Sequence, residues 1–330
     1  FQAEDGIRDS VASRGLGDVY KRQTAVGHLL GLSLNQMIYA LGIAGTQALG
    51  VRESFGSMAK AYHPGRAAMA GLESAVLASK GFTGAEAILE GRRGFWAVMS
   101  SNGHEATHIS DGLGIRWELK NNGLKPYSCG VVIHPLQDAV ISLRNEYNLS
   151  HEEVASIKAQ THPLVLELVN RPNAKTGLEG KFSFQHSVAA ALVDGAGYPA
   201  QYTDERVMDP RILMLRDKVS AISDTSLRED ETLLDIELID GRCLKKHIVH
   251  ATGSPENPMT DAALEEKLNT LTAEILPKAQ AKQLLDTAWN LDKATNLDEI
   301  AKLMIDEYPI LAIAASFANS PSIFLSLIHI

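Results

Sequence analysis

The chain has few cysteines, and it lacks the common nucleotide-binding motifs. Its 330 residues include two cysteines, Cys129 and Cys243, too few for a disulfide framework. C-x-x-C does not occur, so we expect no structural zinc. His104 and His108 have the H-E-x-x-H spacing, but Ser101-Asn102-Gly103 precedes them and no third ligand follows, so we expect an exposed loop rather than a zinc site. A phosphate-binding P-loop and a G-x-S-x-G nucleophile elbow are also missing. The sequence therefore predicts no structural metal and argues against the commonest nucleotide-binding, hydrolase and zinc-protease functions.

The chain also has fewer basic than acidic residues. The chain has 31 Lys and Arg against 40 Asp and Glu, a net charge of −9 at pH 7. A non-specific nucleic-acid binder needs clustered cations that displace counterions, so we expect no nucleic-acid partner. The first residues contain no apolar signal segment, and the uncharged stretch 308–330 is divided by Pro309 and Pro321. We therefore expect no membrane partner and a cytoplasmic location.

Both ends of the chain look unlike a folded domain. Residues 1–23 are balanced in charge, interrupted by glycines and without an apolar period. They resemble translated linker sequence from a sequencing library, and the tail 322–330 resembles the linker found at the opposite end. We expect both ends to be non-native, to carry no function and to flank a fragment of a longer protein.

The composition between these ends is that of a globular protein. Hydrophobic residues make up 45% and charged residues 22%, and a chain of this length favours two compact units. Helical apolar spacing dominates 24–122 and returns in 253–321, whereas 123–252 mixes strand and helix patterns. We predict a mainly α protein with an inserted α+β domain: a large helical domain from 24–122 and 253–321, and a smaller α+β lid from 123–252.

Local patterns predict individual helices in the first part of the chain. Pro64 is expected to begin a helix that ends near Ser79, because proline is favoured at the first helical position. Thr83 and Glu86 have the spacing of a capping box, and Gly91 is expected to end the helix that they open.

Other patterns predict elements of the α+β part. The run 164–169 is strand-like, and Phe184 to Val193 is expected to be a helix. Leu234, Ile236 and Leu238 alternate with polar residues and predict a strand. A two-residue turn at Asp240–Gly241 and a return strand from Cys243 to His250 complete a predicted hairpin.

The helical signal after the α+β part comes from an apolar stripe. Leu264, Leu268 and Leu271 predict the buried face of a helix, and Lys267 is expected on its outer face.

Lys60, His63 and Arg66 form a first candidate group, just before and within the first turn of the helix predicted from Pro64. A helix N-terminus with added cations suits an anionic ligand. On spacing alone, a solvated lysine and arginine beside a core histidine is the simpler interpretation.

Lys125, Cys129 and His134 form a second group, where the helical pattern gives way to the α+β pattern. Small-molecule sites concentrate at such junctions. His134 is a candidate general acid or base, and Lys125 a point charge for a carboxylate. Cys129 is more simply a buried thiol than a nucleophile. A surface lysine and a core histidine remain the simpler interpretation of the other two.

Longer motifs at these positions resemble a known family. They are MAKAYHPGRAAMAGLESAVLASKGFTG at 58–84, KPYSCGVVIHPLQDAV at 125–140, TGLEGKFSFQHSVAAALVDG at 176–195 and GSPENPMTDAALEEK at 253–267. In order and combined length they resemble the MmgE/PrpD family, which includes 2-methylcitrate dehydratases, cis-aconitate decarboxylases and an iminodisuccinate epimerase.

The resemblance implies a fold, a substrate class and roles for these residues. The family has a large all-α domain with an inserted α+β lid, and its active site lies between the two. By resemblance Lys60, His63 and Lys125 are catalytic, and Arg66 and His134 bind the substrate. A small di- or tricarboxylate substrate, no cofactor and a homodimer are then expected, with cations from two lobes converging on one cleft.

Two departures from the family pattern bear on the expected reaction. Nothing before Thr24 corresponds to the family's Asp- and His-bearing motif, and Leu168 stands where the decarboxylase branch has a tyrosine. We therefore expect a hydro-lyase similar to 2-methylcitrate dehydratase. An epimerase, isomerase or decarboxylase of the same family is an alternative, and so is a non-catalytic carboxylate-binding or dimer-forming helical protein.

Overall fold

A computed structural model describes residues 23–47, 54–99, 111–112, 114–295 and 303. The chain divides into two compact units, residues 1–117 and 118–330, and each unit is described by itself. Apart from Gln23, the predicted linker segments 1–23 and 322–330 lie outside the described residues. The division into a helical domain and an inserted lid stays a prediction.

The described part of the first unit is helical. Residues 23–29 are helical, and they are followed by α1 (Leu34–Ala44), α2 (Met58–Ser79) and α3 (Phe95–Met99). A capping box begins α1, and α1 packs against α2. The buried residues at this contact are small, which lets the two helices approach closely: Ala40, Ala44, Ala67, Ala70 and Ala78.

The predicted start of α2 is wrong. The helix begins at Met58 rather than at Pro64, so Lys60 and His63 lie inside it rather than before it. Pro64 lies inside the second turn, where it has no N–H to donate to the Lys60 carbonyl. The predicted end at Ser79 is confirmed.

The helix predicted after Thr83 is also wrong. Residues 86–90 form turns, and the N–H of Phe95 donates to the carbonyl of Ile88 at 2.7 Å. This bond closes a compact loop before α3, so the polar spacing that suggested a capping box does not begin a helix.

The second unit combines helices with one small sheet. Its helices are α4 (His134–Tyr147), α5 (Pro163–Leu168), α6 (Gly177–Gly180), α7 (Phe184–Asp194), α8 (Asp204–Val207), α9 (Pro210–Arg216), α10 (Asp261–Thr272) and α11 (Lys278–Trp289). Its strands are β1 (Val154–Thr161), β2 (Val219–Ser223), β3 (Thr232–Leu238) and β4 (Cys243–Ile248).

The sheet is mixed and has the strand order β2-β1-β3-β4. β1 is parallel to β2, whereas the β1–β3 and β3–β4 pairs are antiparallel. All four strands lie within the segment predicted to be α+β. A mainly helical chain with an α+β part is thus confirmed, and the insertion of one domain into the other stays a prediction.

The core of the second unit lies between α4, α7 and the sheet. α4 packs against α7 and also against β3 and β4. The buried side chains alternate along the strands and recur at helical spacing in α4: Leu136, Val140, Leu143, Val188, Leu192, Ile157, Leu234 and Ile236. This packing fixes the first residue of α4, which is His134.

Two predictions for this unit need correction. The run 164–169 is mostly the helix α5, because Pro163 occupies a first-turn position and the His162 ring accepts a hydrogen bond from the Leu164 N–H at 3.3 Å. The hairpin is confirmed, but its loop has three residues rather than two. The Leu238 N–H donates to the Arg242 carbonyl at 2.8 Å, and Gly241 has a φ of +88°, as in a type I turn with a bulge.

The helix predicted from Phe184 to Val193 is confirmed as α7, which extends to Asp194. Within the described ranges, no helix combines the length and the apolar character needed to cross a bilayer.

Candidate functional site

The first candidate group lies on α2. Lys60, His63 and Arg66 are spaced by three residues, so they cover adjoining parts of the helix surface, and all three are half-buried. Each contacts a neutral neighbour: the Lys60 Nζ lies 5.9 Å from the centre of the Phe55 ring, the His63 Nε2 lies 3.3 Å from the Ser54 Oγ, and Arg66 donates to the Gln47 Oε1 at 3.3 Å. The structure thus brings these three residues together within the first unit.

The second candidate group is built on the segment 124–130, which main-chain hydrogen bonds hold in place. Leu124 donates to the Gly253 carbonyl at 2.7 Å, Ser128 to the Gly197 carbonyl at 2.8 Å, and Gly130 to the Lys181 carbonyl at 2.9 Å. Gly253 has a φ of +87°, and a Cβ there would lie 1.8 Å from the Leu124 oxygen. Only glycine permits this approach, so Gly253 fixes the main chain next to Lys125.

Three lysines, which we call the lysine group, meet at this segment: Lys125, Lys181 and Lys267. The Lys125 Nζ donates to the Cys129 carbonyl at 3.1 Å. The Lys267 Nζ, from α10, donates to the Lys125 carbonyl at 2.8 Å. Lys181 follows α6 and is only 3% exposed. The ammonium groups of Lys125 and Lys267 and the main chain of Lys181 therefore contact one short stretch of main chain.

The environment of the lysine group disfavours its positive charge. Burial lowers the pKa of Lys181 to about 8, and the neighbouring charge of Lys125 contributes to this shift. Burial also lowers the pKa of Lys267 to about 8. Near neutral pH these lysines are still mostly protonated, but their protons are held far less firmly than in water.

His134 begins α4 beside the lysine group. It is 2% exposed, and its ring meets the Tyr127 ring edge-on with the centres 5.5 Å apart. Burial holds the pKa of His134 well below its usual value, and Lys125 and Lys267 lower it further, while a hydrogen bond to the Cys129 main chain partly opposes them. His134 is therefore neutral at pH 7, and its Nε2 has no hydrogen-bond partner among the described residues.

Cys129 is a buried thiol rather than a nucleophile. Burial raises its pKa to about 11, so the thiolate is scarce at neutral pH. The Cys129 Sγ lies 3.1 Å from the Gln137 Oε1, and the Gln137 Nε2 donates to the Tyr202 hydroxyl at 3.2 Å. This network joins the 124–130 segment to α4 and to the turn that contains Tyr202, and it has a structural role.

Asp138 ties three parts of the unit together. The Tyr127 hydroxyl donates to its Oδ1, and the Thr252 N–H donates to its Oδ2 at 2.6 Å. Burial raises the pKa of Asp138, and these two hydrogen bonds oppose that shift. The carboxyl group thereby positions Tyr127 and, through it, the ring of His134.

Asp230, His250 and Glu256 are the one group with metal-ligand geometry within the part of the chain that the structure describes. One ligand atom from each lies within 4.8 Å of the others. However, the His250 Nδ1 and the Asp230 Oδ2 are 2.8 Å apart, and the Arg228 Nε lies 3.6 Å from the Asp230 Oδ1. Hydrogen bonding and ion pairing account for this group, and we assign it no metal.

Sequence reasoning missed two members of the lysine group. Lys267 was predicted on the outer face of α10, which is wrong, because it is half-buried and its Nζ contacts the Lys125 main chain. The signal was present, since Lys267 falls three residues after Leu264 and four before Leu271, on the apolar stripe itself. Lys181 directly precedes the long buried run of α7, a position where a charged residue is unusual.

Comparison with known proteins gives matches in both units. A family model described as the MmgE/PrpD N-terminal domain matches residues 22–107, and one described as the MmgE/PrpD C-terminal domain matches residues 127–293. A cis-aconitate decarboxylase of Aspergillus terreus is 27% identical over 304 residues, which is 85% of this chain and 61% of that enzyme.

Mammalian proteins of the same name are similar to the chain over the same extent. The cis-aconitate decarboxylases of Mus musculus and Homo sapiens are each 23% identical over 289 residues, which is 85% of this chain and 59% and 60% of those enzymes. The chain thus spans about three fifths of the length of these curated relatives.

Proposed function

Because this chain belongs to the MmgE/PrpD family, we propose that the protein carrying it is a cofactor-independent lyase that acts on a small di- or tricarboxylate. The observation that supports this most strongly is the lysine group beside neutral His134. It supplies positive charge in a largely buried setting, where a charge-assisted hydrogen bond to a carboxylate is worth about 1.5–3 kcal/mol. The relatives are named for the decarboxylation of cis-aconitate, a tricarboxylate of this substrate class.

We propose a role for each residue of the two candidate groups. Lys125, Lys60 and Arg66 hold carboxylates of the substrate, His63 orients the substrate or shuttles a proton, and His134 supports the lid. The proposal includes the family arrangement of a helical domain with an inserted α+β lid, a homodimer and a cytoplasmic location.

Dehydration is the reaction we propose first. A base removes a proton from the carbon next to a carboxylate, the C–O bond to the hydroxyl breaks, and the hydroxyl leaves as water after taking a proton. Cations near the carboxylate stabilise the negative charge that develops during proton removal. Leu168, where the decarboxylase branch has tyrosine, favours this reaction over decarboxylation.

Decarboxylation is the second candidate, favoured by the names of the relatives. In that reaction a C–C bond breaks, carbon dioxide leaves, and the electron pair left behind takes up a proton at carbon. It needs a proton donor near the reacting carbon, and it needs the remaining carboxylates to be held in place.

One set of assays separates these reactions. The full-length protein that carries this sequence is incubated with 2-methylcitrate, citrate and cis-aconitate, and the products are followed by proton NMR. Dehydration gives an unsaturated acid with the carbon number unchanged, whereas decarboxylation gives a dicarboxylate with one carbon fewer. If no substrate is converted but calorimetry shows that one of them binds, the protein is the non-catalytic carboxylate binder instead.

Substitution tests the two proposed catalytic lysines. We expect Lys60→Ala and Lys125→Ala each to lower kcat/KM by about 10- to 100-fold, the equivalent of one charge-assisted contact. The matched controls are Lys80→Ala and Lys278→Ala, at exposed positions in the first and the second unit. Parental rates in both test variants would show that the lysines are wrongly assigned.

A further inference from the structure

One face of α2 is apolar and exposed. Its residues recur at alternating intervals of four and three, and the exposed fractions of its large side chains run from 40% at Val76 to 81% at Met58. An alternation of four and three is the spacing of the contact positions in a coiled coil. We call this face the α2 stripe, and it consists of Met58, Tyr62, Gly65, Met69, Leu72 and Val76.

The opposite face of α2 is apolar too. Ala67, Ala70 and Ala78 are buried there, where α2 packs against α1. The structure describes every residue of α2, and among the exposed ones Glu73 is the one that is charged. A helix that is apolar on both sides is typical of a helix that is buried on both sides. We therefore expect the α2 stripe to be covered in the assembled protein.

A second copy of α2 fits the stripe when the two helices run antiparallel. If the copies are centred on residue 67, every residue of the stripe lies opposite another residue of the stripe. An added Cβ at Gly65 would meet nothing within 4 Å, so this glycine leaves room for a long side chain of the second copy. Each pair then forms twice, as in other two-fold contacts, and the pairs are Met58 with Val76, Tyr62 with Leu72, and Gly65 with Met69.

Charges beside the stripe favour the antiparallel direction. Arg66 and Glu73 flank the stripe on the same side, one heptad apart. An antiparallel pair brings Glu73 of each copy towards Arg66 of the other, whereas a parallel pair would face these two residues with Ala61 and Ala68. The Arg66 guanidinium carries five N–H donors, enough to bind both Glu73 of the second copy and a substrate carboxylate.

The length of the stripe indicates how strongly two copies associate. From Met58 to Val76 it runs about 27 Å along the helix. A contact of this length is small among specific protein interfaces, so we expect a reversible dimer with a Kd of about 1–100 μM.

We propose that two copies of this chain associate through the α2 stripe as an antiparallel pair of helices. A homodimer is part of the proposed function, and this inference gives that dimer a surface; the surface itself rests on the residues of α2. Lys60 and His63 lie on the far side of the helix from the stripe, so the contact does not cover them.

Sedimentation equilibrium of the 330-residue chain, from about 1 to 200 μM, measures the Kd of the dimer. We expect Met69→Arg to raise this Kd at least about 100-fold, because a two-fold contact buries the new charge twice. The matched control is Met214→Arg, which should leave the Kd unchanged: Met214 lies on α9 and is 63% exposed, against 54% for Met69.

Both methionines are exposed, so thermal melts of the two variants, followed by circular dichroism, should match the melt of the parent chain. A parent chain that stays monomeric at every concentration would overturn the proposal. So would a Kd that Met69→Arg leaves unchanged.

Disulfide cross-linking tests the direction of the pair. Met58→Cys and Val76→Cys are made separately in a Cys243→Ser background, which removes an exposed thiol. On mild oxidation we expect covalent dimers when the two variants are mixed, and none in either variant alone, because like positions lie about 27 Å apart in the antiparallel pair. Cross-linking of each variant alone would show a parallel pair, and a mixture without cross-links would show a different contact; both results contradict the proposal.

The dimer surface and the lyase proposal fail separately. The same cysteine pair is therefore placed in the full-length protein. Cross-linking there without turnover of any carboxylate would overturn the lyase and keep the surface. Turnover by a full-length protein that does not cross-link would keep the lyase and overturn the surface, because another segment would then cover the stripe.

Discussion

Positive side chains occur in both units, and their surroundings differ. On α2, Lys60, His63 and Arg66 are half-buried and touch neutral neighbours. In the second unit, Lys181 is buried and Lys267 is half-buried, and burial lowers the pKa of both to about 8. A half-exposed cation keeps much of its hydration, whereas a buried one is kept at a cost in folding free energy. The comparison indicates that keeping these cations charged lowers the folding stability of the second unit.

Substitutions at two glycines that share the same φ test how closely the main chain is packed in each unit. Gly81 and Gly253 both have a φ of +87°. An added Cβ at Gly253 would lie 1.8 Å from the Leu124 oxygen, whereas at Gly81 it would meet nothing within 4 Å. We expect Gly253→Ala to lower the free energy of unfolding by more than about 4 kcal/mol. Gly81→Ala should cost about 1–2 kcal/mol, the penalty of the left-handed conformation alone. Urea denaturation of both variants measures the difference, and equal losses would contradict it.

The stability of lysine variants tests the comparison directly. At pH 7 the folded chain holds Lys181 charged although burial lowers its pKa from 10.5 to about 8. Replacement by methionine removes that penalty, so we expect Lys181→Met to raise the free energy of unfolding by about 1–3 kcal/mol. Lys60→Met should change it by less than about 1 kcal/mol, because the residue is half-exposed and its contact with Phe55 is weak. Destabilisation by Lys181→Met would mean that the buried charge has a structural role.

The pH dependence of folding stability also distinguishes the lysines of the two units, and its expected effect is smaller. Between about pH 8 and pH 9 the folded chain releases protons from Lys181 and Lys267 before the unfolded chain does. The unfolded state then binds more protons, so the free energy of unfolding rises with pH, by up to about 1.4 kcal/mol per pH unit for each lysine. Above pH 9 the raised pKa of Cys129 acts in the opposite direction, which limits the window.

Denaturation at a series of pH values measures this slope. We expect the double variant Lys181→Met/Lys267→Met to lose the rise, and Lys60→Met to keep it. A slope that persists in the double variant would assign the titration to other groups.

The regular elements of the second unit were partly predictable from the sequence. The first hairpin strand, β3, and the helix α7 follow apolar periods that the chain keeps without interruption. β1 was missed because a bulge between Val154 and Ser156 shifts its period by one residue, so buried Ile157, Ala159 and Thr161 no longer alternate in step with Val154. The run in α5 was mistaken for a strand because its apolar residues carry no helical period of their own, and Pro163 decides the outcome.

The candidate site was less predictable, for a different physical reason. Lys125 and His134 lie close together in sequence, so local reading placed them in one group. Lys181 and Lys267 join that group only through contacts with the main chain of distant residues, and no local period reports such contacts. Lys267 shows that a charged residue on the apolar stripe of a helix should be treated as a candidate site residue.

The order of the strands has a consequence for synthesis of the chain. β1 ends at Thr161, yet its parallel neighbour β2 begins at Val219 and its antiparallel neighbour β3 at Thr232. On a ribosome that adds about 5–20 residues per second, β1 waits for several seconds with both edges unpaired. During that interval its edges are open to other chains, so a cell that makes this protein in quantity gains from a chaperone that covers the nascent strand.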